Sequence, residues 1–184
     1  MDEFRFELTE DEKSYLKGLA RGSIQARLGG DAAWRAAEPP TDKLRENFGA
    51  FVTLTLDGSL RGCIGRIVCD QPLYQTIAQM ALAAAFEDPR FPPLTSAEFE
   101  RAHVEISILS PVTACPDPSL VEVGRHGLIV RRGHKQGLLL PQVPVEWQWD
   151  QETFKAQTCR KAGLPPDAWK QPGTEMYWFE AEVF

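Results

Sequence analysis

The chain has no long apolar run. Its longest candidate, "MALAAAF" at 80–86, falls far short of the ~20 residues that a membrane-crossing helix needs. The start, "MDEFRFELTEDEK", is acidic and mixed, without the basic segment and apolar run of a secretory signal. A cytoplasmic protein is the expectation. Positive charge is scarce as well: 20 basic against 26 acidic residues leave a net charge of -6, without the basic stripe that binding to a phosphate backbone requires. Nucleic acid is therefore a poor partner.

Signature motifs are missing too. There is no P-loop, no Rossmann "GxGxxG" and no "GxSxG" elbow, so nucleotide cofactors and α/β-hydrolase chemistry lose support and no cofactor is expected. The four cysteines, Cys63, Cys69, Cys115 and Cys159, form no C-x-x-C pair, which argues against a disulfide framework in a reducing compartment. His103, His126 and His134 show neither H-E-x-x-H nor zinc spacing. No metal site is expected from local pattern; ligands distant in sequence stay open.

What is present is enough apolar residue for a core: 43% of 184 residues are hydrophobic, suiting one compact domain or two small lobes. Thr9 and Glu12 have capping-box spacing and open a helix that stops at Gly29-Gly30. The segment from Asp31 to Gly49 reads as a short helix and a connection. "FVTLTLDGSLRGCIGRI" reads as a hairpin turning at Asp57-Gly58. A helix follows from about Pro72 to Phe86 or Glu87, and a second capping box, Thr95 with Glu98, opens a short helix before the strand "HVEISILS". "LIVRR" and "GLLLP" flank a second hairpin, Asp150 caps a helix ending at Gly163, and "EMYWFEAEVF" reads as a last strand.

This order, strand-strand-helix-strand twice, predicts an α+β fold of two lobes. Its sheets are mostly antiparallel, its element order suggests a duplication of strand-strand-helix-strand units, and a helical addition covers about residues 1–47 ahead of a motif-bearing region of about 48–184.

Four motifs carry a further signal: "LRGCIG" at 60–65, "DPRFPP" at 88–93, "EVGRHGL" at 122–128 and "LPQV" at 140–143. Together they resemble the AMMECR domain family, called AmmeMemoRadiSam system protein A in prokaryotes. The likeness is continuous from about Phe48 to the C-terminus and looser before it. The resemblance implies one AMMECR-type domain over 1–184 with two lobes and the cysteine motif near a cleft between them. It also implies association with a radical-SAM protein and a Memo-like protein, the latter similar to non-haem dioxygenases. It implies no particular reaction.

In the cysteine motif, strand alternation puts Arg61, Cys63 and Gly65 on one face, so the guanidinium would favour a thiolate at Cys63. Gly62 and Gly65 would let a substrate or another backbone approach the sulfur. The plainer reading is a buried, inert cysteine with Arg61 paired elsewhere. Asp88 and Arg90 belong either to a rigid corner past a helix end or to a ligand site, with Asp88 holding Arg90 or Arg61. His126 is either a base for Cys63 or a loop histidine. Glu122 could pair with Arg125 or Arg61, and Gln142 with a ligand or its own turn. Glu105 and Ser107 read as a solvent-facing strand side, Cys159 as structural, and Trp147 and Trp149 as core.

Two functions follow as expectations. One is a small-molecule enzyme or ligand-binding protein with Cys63, Arg61 and His126 in catalytic roles. Gly62, Gly65, Asp88, Arg90, Glu122 and Gln142 would line its ligand site. The other is a non-catalytic interaction or accessory module that presents aromatic residues to partner proteins.

Overall fold

The computed structural model describes residues 7–184, so the first six residues of the expected N-terminal addition lie outside it. Two compact units divide the described chain, one formed by residues 7–109 with 182–184 and the other by residues 110–181.

In the first unit, helix α1 (Glu10–Leu28) opens with both bonds of the capping box: the Thr9 hydroxyl accepts from Glu12 N–H, and the Glu12 carboxylate accepts from Thr9 N–H. Its Leu16, Leu19, Ala20 and Ile24 are buried. Each such Leu or Ile contributes roughly 1.5–3 kcal/mol through burial. α1 is thus part of this unit's core. Residues 31–49 do not hold the expected α-helix; only a 3₁₀ turn at Asp42–Arg45 forms, because Pro39 and Pro40 bring rings and no N–H groups to the middle of the segment.

Strands β1 (Ala50–Leu56) and β2 (Ser59–Arg66) form the expected hairpin, with Asp57 and Gly58 at φ 51° and 79° in the turn. Helix α2 (Leu73–Phe86), the short helix α3 (Ser96–Arg101) and strand β3 (Ala102–Leu109) follow. β1 lies between β2 and β3, antiparallel to both. α1 packs on α2 and β3, and α2 packs on β1 and β2. The β1 side chains facing this layer, Ala50, Val52 and Leu54, are fully buried, while Phe51, Thr53 and Thr55 on the other face are half-buried.

The second unit repeats the plan. A short strand β4 (Thr113–Ala114) precedes β5 (His126–Arg132) and β6 (Lys135–Leu139), then helices α4 (Gln142–Glu146) and α5 (Gln151–Lys161) and strand β7 (Glu175–Val183). β5 pairs antiparallel with β6 and with β7, as β1 does with β2 and β3, and α5 packs on β5 and β6. The repeated order of elements is thus matched by a shared pattern of strand pairing, and the fold is α+β with antiparallel sheets. Cys159 is fully buried in a cluster with Val130, Ala162, Leu164 and Ala168, as expected of a structural cysteine.

Three local expectations change. "LPQV" leads into α4 rather than a turn, and the tryptophans after it are not both in the core. Trp147 is 67% exposed while Trp149 packs beside Val121, Leu128 and Phe154, because Gln148 between them takes a positive φ of 54° that interrupts any regular alternation. Ser107 is buried rather than solvent-facing.

Candidate functional site

The cysteine motif and the "DPRFPP" loop interlock as one structure. β2 is an edge strand, and an edge leaves backbone N–H and C=O groups unpaired. At Cys63 the loop supplies both partners: Asp88 Oδ2 accepts the Cys63 N–H at 2.9 Å, and Arg90 Nη2 donates to the Cys63 carbonyl at 3.4 Å. Asp88 is itself held by Arg90 through Nε at 2.9 Å and Nη2 at 2.7 Å. That guanidinium, together with two backbone N–H groups, holds the Asp88 carboxyl well below the usual carboxylate range.

The hairpin carries a bulge between Leu54 and Thr55, where Leu54 pairs with Gly62 and Thr55 with Leu60. Arg61 is the extra residue, and a bulge re-aims the side chain it carries. Arg61 is only 7% exposed. Its Nε donates to Glu98 Oε1 at 3.0 Å, and its Nη2 donates to Glu98 Oε2 at 3.1 Å and to the Pro92 carbonyl at 2.9 Å. This fork pulls the Glu98 carboxyl down to about 2. Arg61 is therefore engaged by the loop and α3, and the guanidinium bonded to the Cys63 residue belongs to Arg90. Both guanidinium groups lie within 6 Å of the Phe91 ring, at 5.7 and 5.5 Å.

The two glycines have packing reasons. A Cβ on Gly62 would run into the Ala84 carbonyl oxygen of α2, and one on Gly65 would run into the Phe51 ring opposite. What approaches Gly62 is thus another backbone.

Cys63 is half-buried, and the Thr53 hydroxyl opposite donates to its sulfur at 3.2 Å. Glu105 follows Thr53 in the same row, on β3. Arg90 keeps about half of its side chain exposed, at 53%, so its guanidinium can also meet a ligand. Thr53 and Glu98 escaped the sequence reading: Glu98 was visible only as a cap residue, and Thr53 faces Cys63 only because of the bulge.

His126, Glu122 and Gln142 belong to the other unit, whereas His103 on β3 shares the unit of Cys63. His126 is not a loop residue; it begins β5 and is buried, because the turn from Glu122, with Gly124 at φ 89°, ends by passing His126 N–H to the Glu122 carbonyl at 3.0 Å. Its Nδ1 accepts from Glu122 N–H at 2.9 Å, and its ring stacks on Trp178 at 4.3 Å. Glu122 pairs with Arg125, which also bonds Glu180. These groups line a hollow of about 460 Å³. Gln142 begins α4, outside that lining.

Among the described residues no three His, Cys, Asp or Glu side chains are grouped to hold a metal ion, and no helix is long and apolar enough to cross a membrane.

Similarity to known proteins spans almost the whole chain. A protein of Methanothermobacter thermautotrophicus is 45% identical over 183 residues, covering 96% of this chain and 95% of that protein. Protein MK0488 of Methanopyrus kandleri is 46% identical over 187 residues, covering 96% and 89%. The crystal structure of the uncharacterized protein PH0010 from Pyrococcus horikoshii matches with a TM-score of 0.83 at 40% identity, covering 96% of this chain and 91% of that one. The AMMECR1 family model matches residues 18–184, starting inside α1 and running to the last residue. With the family model and these relatives agreeing over that length, the chain belongs to the AMMECR1 family.

Proposed function

We propose that the Cys63 edge of β2 is a small-molecule site in which the Cys63 thiolate acts as nucleophile or covalent carrier. The observation that carries this is the Thr53 hydroxyl on the sulfur at 3.2 Å beside the half-exposed guanidinium of Arg90. Arg90 takes the charge-stabilising role first expected of Arg61, and Arg61 becomes a positioning residue that holds the "DPRFPP" loop. Gly62 and Gly65 serve the site by letting α2 and Phe51 close on the strand. Asp88 fixes the Cys63 backbone. Such a site would work alongside radical-SAM and Memo-like proteins, supplying or receiving their small-molecule substrate. His126, Glu122 and Gln142 have no part in it that their own unit explains.

The test is site-resolved alkylation with iodoacetamide against pH. Burial pushes the Cys115 thiol up, and Cys69 and Cys159 are buried, so Cys63 should react first. Arg90→Gln should slow it several-fold at neutral pH. A native Cys63 that reacts no faster than Cys115, or that ignores Arg90→Gln, ends the proposal.

A second reading, an accessory module that docks on partner proteins, is favoured by Trp147, which stacks on Trp149 at 6.2 Å yet stays 67% exposed. Pull-down of the companion proteins with Trp147→Ala and Cys63→Ser variants separates the two. Loss with the tryptophan variant alone supports docking, and no complex under reducing conditions removes it.

A further inference from the structure

The hollow in the unit of residues 110–181 stands where its counterpart is sealed. Gly62 on β2 and Gly137 on β6 each receive the backbone near the end of the helix packed on that strand, α2 at Ala84 and α5 at Ala162. Aligning them matches Leu54 with Val130, and hence Val52 with Leu128 and Ala50 with His126. On the third strands it matches Ile106 with Trp178 and Ile108 with Glu180. In the first unit Ala50, Ile106 and Ile108 are fully buried and apolar. In the second, His126, Trp178 and Glu180 line a cavity of about 460 Å³, a size typical of small-ligand sites. The polar groups on this face have partners within the unit: Arg125 for Glu180, the Glu122 N–H for His126 Nδ1 and Thr113 for the Trp178 indole.

Their charges define what the open hollow would take. Arg125 Nε donates to Glu180 Oε1 at 2.7 Å, and its Nη1 donates to Glu122 Oε1 at 3.3 Å. Because His126 Nδ1 accepts a backbone N–H, the imidazole is the neutral tautomer protonated on Nε2. Two carboxylates against one guanidinium leave the described lining with one negative charge in excess. Beside it lies an apolar wall of Trp178, Leu120 and Pro111, with Trp178 Nε1 tied to Thr113 Oγ1 at 3.0 Å.

We propose that this hollow binds a primary ammonium ion with an apolar body: the ammonium meets Glu122 and Glu180, and the body lies along Trp178 and Leu120. The cation meets the excess negative charge of the described lining, and an indole face favours positive charge. This site is independent of the Cys63 reading.

The probe is benzylamine, with benzyl alcohol and benzoate as its neutral and anionic counterparts, followed through the indole N–H resonance of Trp178 in the full chain. Benzylamine should shift that resonance and bind at least about 5-fold tighter than benzyl alcohol. Benzoate should not bind. Glu122→Gln, at an exposed position that keeps the fold, should reduce benzylamine affinity about 5-fold, and Cys63→Ser should leave it unchanged. Equal binding of amine and alcohol, preference for benzoate, a silent Trp178 resonance, or indifference to Glu122→Gln each overturns the proposal.

Discussion

Across the sheet face turned away from the helices, one row of the first unit reads Cys63–Thr53–Glu105, and the corresponding row of the second reads Leu138–Ile129–Tyr177. Both units have the same strand order, each central strand flanked by its hairpin partner and by the strand after the helix. Both use a glycine under the end of that helix. The second unit is thus an internal control, and it shows that the scaffold folds without a thiol or a carboxylate in that row and with isoleucine at its centre. The reverse holds on the helix side, where the first unit is apolar at the positions where the second carries His126 and Glu180. Each unit departs from the shared plan at a different place, and each departure marks a candidate site.

The largest effects should come from the shared device. Gly62→Val and Gly137→Val should each destabilise by about 3 kcal/mol or more in urea unfolding, because both force a side chain into helix backbone. If one is tolerated, the units do not share the device.

Next is the clamp that only the first hairpin carries. Asp88→Ala removes the acceptor of the Cys63 N–H and the partner of Arg90, and should cost about 2 kcal/mol by the same measurement. Acid should loosen the clamp as well. Glu98 titrates near 2 in the folded chain against an ordinary 4.5, and Asp88 is also lowered. The unfolded chain therefore binds protons first as pH falls. Their stabilisation is complete above about pH 4.5 and is lost as pH drops toward 2. Glu98→Gln should flatten part of that loss in an unfolding series against pH.

Thr53→Ile makes the first unit resemble the second at the centre of the row. Stability should change by no more than about 0.5 kcal/mol, while Cys63 alkylation at neutral pH slows several-fold; unchanged alkylation would take the hydroxyl out of the site. Smallest of all, Trp147→Ala should alter stability by less than about 0.5 kcal/mol, since its ring is mostly in solvent.

Much of the fold was legible because its signals are local. The Thr9–Glu12 and Thr95–Glu98 boxes, the Asp57-Gly58 turn and the alternation of "HVEISILS" each act within a few residues, and all appear in the structure. The site was legible only in part. Counting back from the turn sets Arg61 opposite Leu54 and Cys63 opposite Val52, on the helix-covered face. The bulge adds one residue, shifts the register and turns Cys63 to the other face opposite Thr53.

The sequence by itself determined the elements, their order and the motifs that carry the family, because caps, turns and periodicity depend on neighbours along the chain. Only the tertiary structure decided which guanidinium accompanies Cys63, that Asp88 closes the strand edge, and that His126 lines a hollow with Glu180. Those outcomes depend on residues 25 to 55 positions apart, whose meeting is set by one extra residue in a strand and by the packing of helices on sheets.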